Sequence, residues 1–273
     1  MQLIQEWQES VFHARTANHI REKTLAKKTG FPILFKKGAG AILEKDIISF
    51  ARNYQQISRA GFVLFLLVIY LAAIVSAGKR IGGLAEAEGI VLALHLIAIS
   101  YFATTLALQF VFPSISLEGR GAWILWSSPI NRKKIILGKF LIFSAILFAI
   151  MEMLLLATAS SLELSSLSLL ISSIMLFLMV LAITAVALGL GTIFPNFHES
   201  NVDRLSTSTG GLCTTFIGLL YGLFMGFANF KILELKYGLL FWSWFLAAIA
   251  VSFLLIISFI YIASRKIQRL EVV

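Results

Sequence analysis

The stretch PSISLEGRGAWILWSSPINRKKIILGK, residues 113–139, lies between two long apolar runs and decides how the chain around it is read. It gathers one carboxylate (Glu118), Gly119 and Gly121, Trp123 and Trp126, a Ser127-Ser128-Pro129 break and the cations Arg120, Arg132, Lys133 and Lys134. Basic residues beside apolar spans mark the cytoplasmic face of a membrane, and tryptophans settle at the headgroup level, where they brace a short helix against the bilayer surface. A connector alone has no use for this set, so the loop reads as a surface approached from the cytosol.

Working outward, the composition agrees. Of 273 residues, 59% are hydrophobic and 14% charged, and the mean hydropathy is +0.89, far more apolar than a soluble domain. The net charge of +9 sits on segments that flank apolar runs, which argues for topology and against nucleic acid as a partner. The one cysteine, Cys213, lies in apolar surroundings, so neither a disulfide framework nor a cysteine metal site is expected. The opening residues carry no apolar core or cleavage pattern, so the first span is expected to direct insertion itself.

Six apolar runs are each long enough to cross a hydrocarbon core, which takes about 20 helical residues: Gly61–Ala77, Gly89–Phe112, Ile135–Ala159, Leu164–Phe194, Gly210–Phe230 and Leu239–Ala263. The first is short. The fourth is too long and must tilt, bend or begin along the interface. Nineteen Lys and Arg residues fall on one side of this arrangement and four on the other. Both termini, the loop starting at Pro113 and the loop starting at Pro195 are therefore expected in the cytoplasm. The expectation is an all-α, multi-pass protein of the cytoplasmic membrane, in contact with the lipid bilayer. Residues 1–40 form a basic arm or linker, 41–60 an amphipathic interfacial helix carrying Lys45, Asp46 and Arg52, 61–263 the six-helix domain and 264–273 a cytoplasmic tail.

Within the spans, Gly210, Thr214, Gly218, Gly222 and Gly226 recur at every fourth residue and give one helix a smooth face for close approach of another, within or between subunits. Glu152 is the acidic residue deep in a span. It reads either as a substrate or proton site or as an acid satisfied by a neighbouring helix, with His95 and Gln109 as candidate partners. Lys139, one turn into the third run, is expected to snorkel to the cytoplasmic interface. The sequence contains no G-x-x-x-x-G-K-[ST], no H-E-x-x-H and no G-x-S-x-G. The chain is thus expected to hydrolyse nothing itself and to hold no metal.

Three segments resemble one family. Ser116-Leu117-Glu118-Gly119 with Trp123, Ser128-Pro129-Ile130 and Ile136-Leu137-Gly138-Lys139 is similar to the first cytoplasmic loop of type-2 ABC exporter permeases. Phe194-Pro195-Asn196-Phe197, Asn201 and Ser206 to Gly211 resemble the second loop of that family, and Leu43-Glu44-Lys45-Asp46 with Arg52 resembles its elbow helix. The resemblance implies a permease subunit working by alternating access with a separate ATPase subunit, which holds ATP and Mg, and with a second membrane half, a copy of itself or a paralogue. It further implies that Glu118, Gly119, Arg120, Trp123, Trp126, Ser128 and Pro129 form an ATPase-coupling loop, with Phe194, Pro195, Phe197 and Asn201 in a second loop. Many permeases of this type are about twice as long, so the chain is expected to be a half-size subunit or the carboxy-terminal half of a longer one. The rival readings are an ion- or proton-coupled carrier using Glu152 and His95, and a membrane scaffold that transports nothing.

Overall fold

A computed structural model describes residues 54–81, 88–121, 132–162, 165–199, 201–235 and 238–269. All of these belong to one compact unit spanning Ala41–Val273. The described residues form helices α1 (Tyr54–Ile81), α2 (Glu88–Leu106), α3 (Arg132–Leu162), α4 (Ser166–Ile193), the short α5 (Val202–Ser206), α6 (Thr209–Glu234) and α7 (Leu239–Arg269). Six of them are long and apolar enough to span a membrane, in line with the six apolar runs, and the protein is a multi-pass membrane protein.

The ends of these helices are written locally. Ser165 caps α4, its Oγ accepting the Ser168 N–H at 3.2 Å; the long fourth run thus becomes a helix beginning only at Ser166. That helix stops at Phe194, because a residue before proline is disfavoured in the α conformation. Asn201 caps α5 and Ser208 caps α6 in the same way. Residues 54–60, assigned above to the interfacial helix, are instead the first turns of α1; Lys45, Asp46 and Arg52 lie outside the described residues.

Helix α4 is the centre of the bundle and packs against α2, α3, α6 and α7. Helices α2 and α4 are mostly buried along their apolar lengths, whereas α1 and α7 are mostly exposed, so the last two form the rim. Their exposed Phe62, Phe65, Leu254 and Ile257 suit a hydrocarbon surround and would be costly in water.

Small residues and single polar clips hold the interior. Gly218, Gly222 and Gly226 lie against Thr104, Ser100 and Ile97 with Ala93 of α2; a Cβ at Gly218 would fall 2.6 Å from Thr104 Oγ1. The smooth face of α6 therefore packs within this chain, onto α2. Tyr70 joins α1 to α2 through His95 Nδ1 (2.8 Å), Tyr221 joins α6 to α7 through Ser252 Oγ (2.6 Å), and Ser172 of α4 donates to Asn229 Oδ1 of α6 (3.4 Å). In lipid, such bonds register apolar surfaces that have little else to align them.

Candidate functional site

The described residues of the two loops singled out in the sequence lie at one end of the bundle, and a defect in α2 begins the arrangement. Pro113 lacks an N–H, and its ring clashes with the carbonyl four residues earlier in a regular helix. Before reaching it, α2 widens into a π turn over Ala107–Val111, the Phe112 N–H bonding to the Ala107 carbonyl, and then tightens into 3-10 turns over Phe112–Ser114 and Ser116–Gly121. In the π register the next donor would be residue 113, which has none. The carbonyl left over, Leu108 O, accepts instead from Ser206 Oγ at 3.3 Å. Gly191 of α4 lies directly against the Phe112 carbonyl, leaving no room for a Cβ.

The turn that follows is tied on two sides. Ser116 Oγ accepts the Asn196 N–H at 3.1 Å, joining the loop after α2 to the loop after α4. Lys139 Nζ stands 3.0 Å from Glu118 Oε1, with the Ser114 carbonyl at 3.4 Å. The Lys139 side chain is 1% exposed and that of Glu118 11%. Lys139 therefore does not snorkel: the Glu118 carboxylate offers its ammonium a partner inside the protein. Glu118, for its part, points into the bundle.

Further contacts close the same end. Arg59 of α1 pairs with Asp203 of α5. Arg132, at the start of α3, donates to the Ile267 and Gln268 carbonyls at the end of α7, each at 3.2 Å, where the last carbonyls of a helix lack intrahelical donors. The second loop is stiffened from within: Asn196 Oδ1 accepts the His198 N–H, Glu199 Oε1 the Asn201 N–H, and Asn201 Oδ1 the Asp203 N–H. Phe197 is half-buried against the core while Phe194 is exposed.

Of the residues expected to act, Glu118, Phe194, Pro195, Phe197 and Asn201 are thus brought to one end. The backbones of Gly119 and Arg120 lie in the 3-10 turn there. Trp123, Trp126, Ser128 and Pro129 lie outside the described residues. The sequence reading missed Lys139, Arg59 and Asp203 as partners; the signal was present for Lys139 alone, as a cation inside an apolar run with one carboxylate in the preceding loop.

The intramembrane polar residues are not brought together. Glu152 Oε1 accepts from Ser173 Oγ of α4 at 2.7 Å, and His95 bonds to Tyr70, so neither His95 nor Gln109 is the partner of Glu152. Glu152 Oε2 and Gln109 Oε1 are buried without a hydrogen-bond partner. Among the described residues no group of His, Cys, Asp and Glu could hold a metal ion.

The winding defect gives a test. Ser206→Ala should cost about 1 kcal/mol, because it leaves a partly buried carbonyl without a donor. In a Pro113→Ala background, where residue 113 regains its N–H, the same substitution should cost less than half as much, read from thermal unfolding in detergent. Equal costs in both backgrounds would show that Ser206 does not stand in for the missing donor.

A family model described as "Putative ATP-binding cassette" matches residues 3–271. No curated protein and no solved structure matches the chain. The description names an ATP-binding unit, whereas the matched segment contains six helices of membrane-spanning length and no G-x-x-x-x-G-K-[ST] loop.

Proposed function

The chain belongs to this ATP-binding cassette family, matched over residues 3–271, and from that premise we propose that it is the membrane-spanning permease subunit of an ATP-driven exporter, with ATP and Mg handled by a separate ATPase subunit. The observation that carries the reading is the meeting of the two polar loops, Ser116 on Asn196, at the end of the bundle where α1 and α3 begin and α7 ends. On this reading that end faces the cytosol, as the bias of Lys and Arg toward it predicts, and the membrane is the cytoplasmic one.

The mechanism follows from how the loops are anchored. A push from the ATPase on the turn after α2 is passed to α3 through Glu118 and Lys139 and to the α4–α6 connection through Ser116 and Asn196. Through Ser206 it also meets the widened turn of α2, where helical winding is weakest. The bundle would thus move as a unit against a second membrane half, opening the substrate path alternately to the two sides. Apolar cargo suits an interior with so few charges. The ATPase is expected to touch the Trp123 and Trp126 segment and the exposed Phe194, since Glu118 is committed to Lys139.

The test is a mild-detergent pull-down of the tagged chain from its native membrane, with an ATPase assay on the eluate. A nucleotide-binding subunit should be recovered in stoichiometric amount, and Trp123→Ala should lower its recovery severalfold without reducing membrane insertion. A wild-type preparation free of any ATPase would overturn the reading. The buried, unpartnered Oε2 of Glu152 favours the carrier as second reading; transport without an ATPase and lost on Glu152→Gln would establish it.

A further inference from the structure

At the polar end of the bundle the described carboxylates are already engaged: Glu118 with Lys139, Asp203 with Arg59 and Glu199 with Arg204. A second group of cations lies where α3 begins and α7 ends. Arg132 fastens the start of α3 to the last carbonyls of α7, so the exposed Lys134 of α3 and the exposed Arg265 and Lys266 of α7 all lie within about a turn and a half of that junction. The Arg265 guanidinium lies over the Tyr261 ring, 4.5 Å from its centroid.

Below these cations both helices turn abruptly apolar. Lys134, Leu137 and Leu141 share one face of α3, and Arg265, Tyr261 and Ile257 share one face of α7; Leu137, Leu141, Tyr261 and Ile257 are all exposed. Cations at the end of a span with bare hydrocarbon-compatible surface beneath them match one chemistry, an anionic headgroup carrying acyl chains. We propose that the junction of α3 and α7 is a binding site for an anionic phospholipid, whose phosphate is held by Lys134, Arg265 and Lys266 and whose chains lie along the exposed apolar stripes below. Arg132 sets the spacing of the two helices and so positions the three cations. Cations near a membrane surface each add about 1 kcal/mol of attraction toward anionic lipid, so three acting together make a site that is occupied selectively. This goes beyond transport and holds whichever reading of transport is right.

The full chain, purified in a neutral detergent, is unfolded thermally in mixed micelles with either phosphatidylglycerol or phosphatidylcholine of the same acyl chains. Phosphatidylglycerol should raise the wild-type midpoint by about 5 °C over phosphatidylcholine. K134Q/R265Q/K266Q should lose most of that difference, whereas R21Q/K27Q/K28Q, which removes as many charges from the first 40 residues, should keep it. The single variants Lys134→Gln and Lys266→Gln, at exposed positions where folding is not at stake, should each lose part of it. The proposal is overturned if wild type unfolds alike in both lipids, if the single and triple seam variants keep the full difference, if R21Q/K27Q/K28Q abolishes it, or if inorganic phosphate alone reproduces it.

Discussion

Gly222→Leu is expected to abolish recovery of the folded bundle. A Cβ at this position would lie well inside van der Waals contact distance of Ser100 Oγ and Cβ on α2, and Gly218 and Gly226 on either side hold the two helices at the same close approach. The contact cannot open at one residue without opening along its length. Overpacking of a well-packed core by a methyl-sized group costs about 1 to 3 kcal/mol, so Gly222→Ala should leave a folded but weakened protein and leucine should leave none. The origin of the clash can be isolated. Ser100→Gly, which alone should cost about 0.5 kcal/mol through helix propensity, should recover more than half of the loss caused by Gly222→Ala when the two are combined. The readings are monodisperse yield on size exclusion and unfolding in mixed micelles. Wild-type yield and stability for Gly222→Leu would show that α6 does not meet α2 closely.

The second large effect is expected at Lys139. Removing one member of a buried ion pair costs about 3 to 5 kcal/mol, because the other charge is left without compensation, while replacing both by apolar groups is often neutral. Lys139→Met should therefore destabilise by about that amount and expose the segment after Ser114 to limited proteolysis, and Glu118→Leu combined with Lys139→Met should restore most of the stability. If the double variant is as damaged as the sum of the singles, the two residues do not act as a pair. The Arg59 to Asp203 pair is the internal contrast. Its Asp203 side chain is 64% exposed, so solvent screening leaves it little, and Asp203→Asn should cost no more than about 1 kcal/mol. The difference between the two pairs decides which one anchors the loop: Glu118 holds it in place, and Arg59 only trims its surroundings.

Much of this protein is legible in its residues. Six spans follow from uninterrupted apolar length, since a backbone in hydrocarbon must satisfy its hydrogen bonds within its own helix. The fourth run ends before Pro195, where its helix stops, and the four-residue repeat from Gly210 to Gly226 announces a close helix contact. These are properties of neighbours in the chain, and neighbours are what a sequence displays. The family membership, matched across nearly the whole length, rests on the same information.

The tertiary structure decided what those surfaces meet. That the glycine face of α6 lies on Ser100 and Thr104 of α2 is a matter of which of several apolar helices comes closest, and apolar side chains alone do not distinguish among them. That Glu118 turns inward to Lys139, where the sequence suggested a loop carboxylate aimed at a partner and a lysine reaching for the interface, depends on α2 losing its regular winding around Pro113. Ser206 satisfies a carbonyl 98 positions earlier in the chain, a debt created by a missing N–H and met by whichever hydroxyl the packing delivers. Local chemistry fixes where a membrane chain is helical and where it is polar. The pairing of its buried charges and orphaned carbonyls is fixed only when the helices pack, because in a medium without water each of these groups must find its partner within the protein.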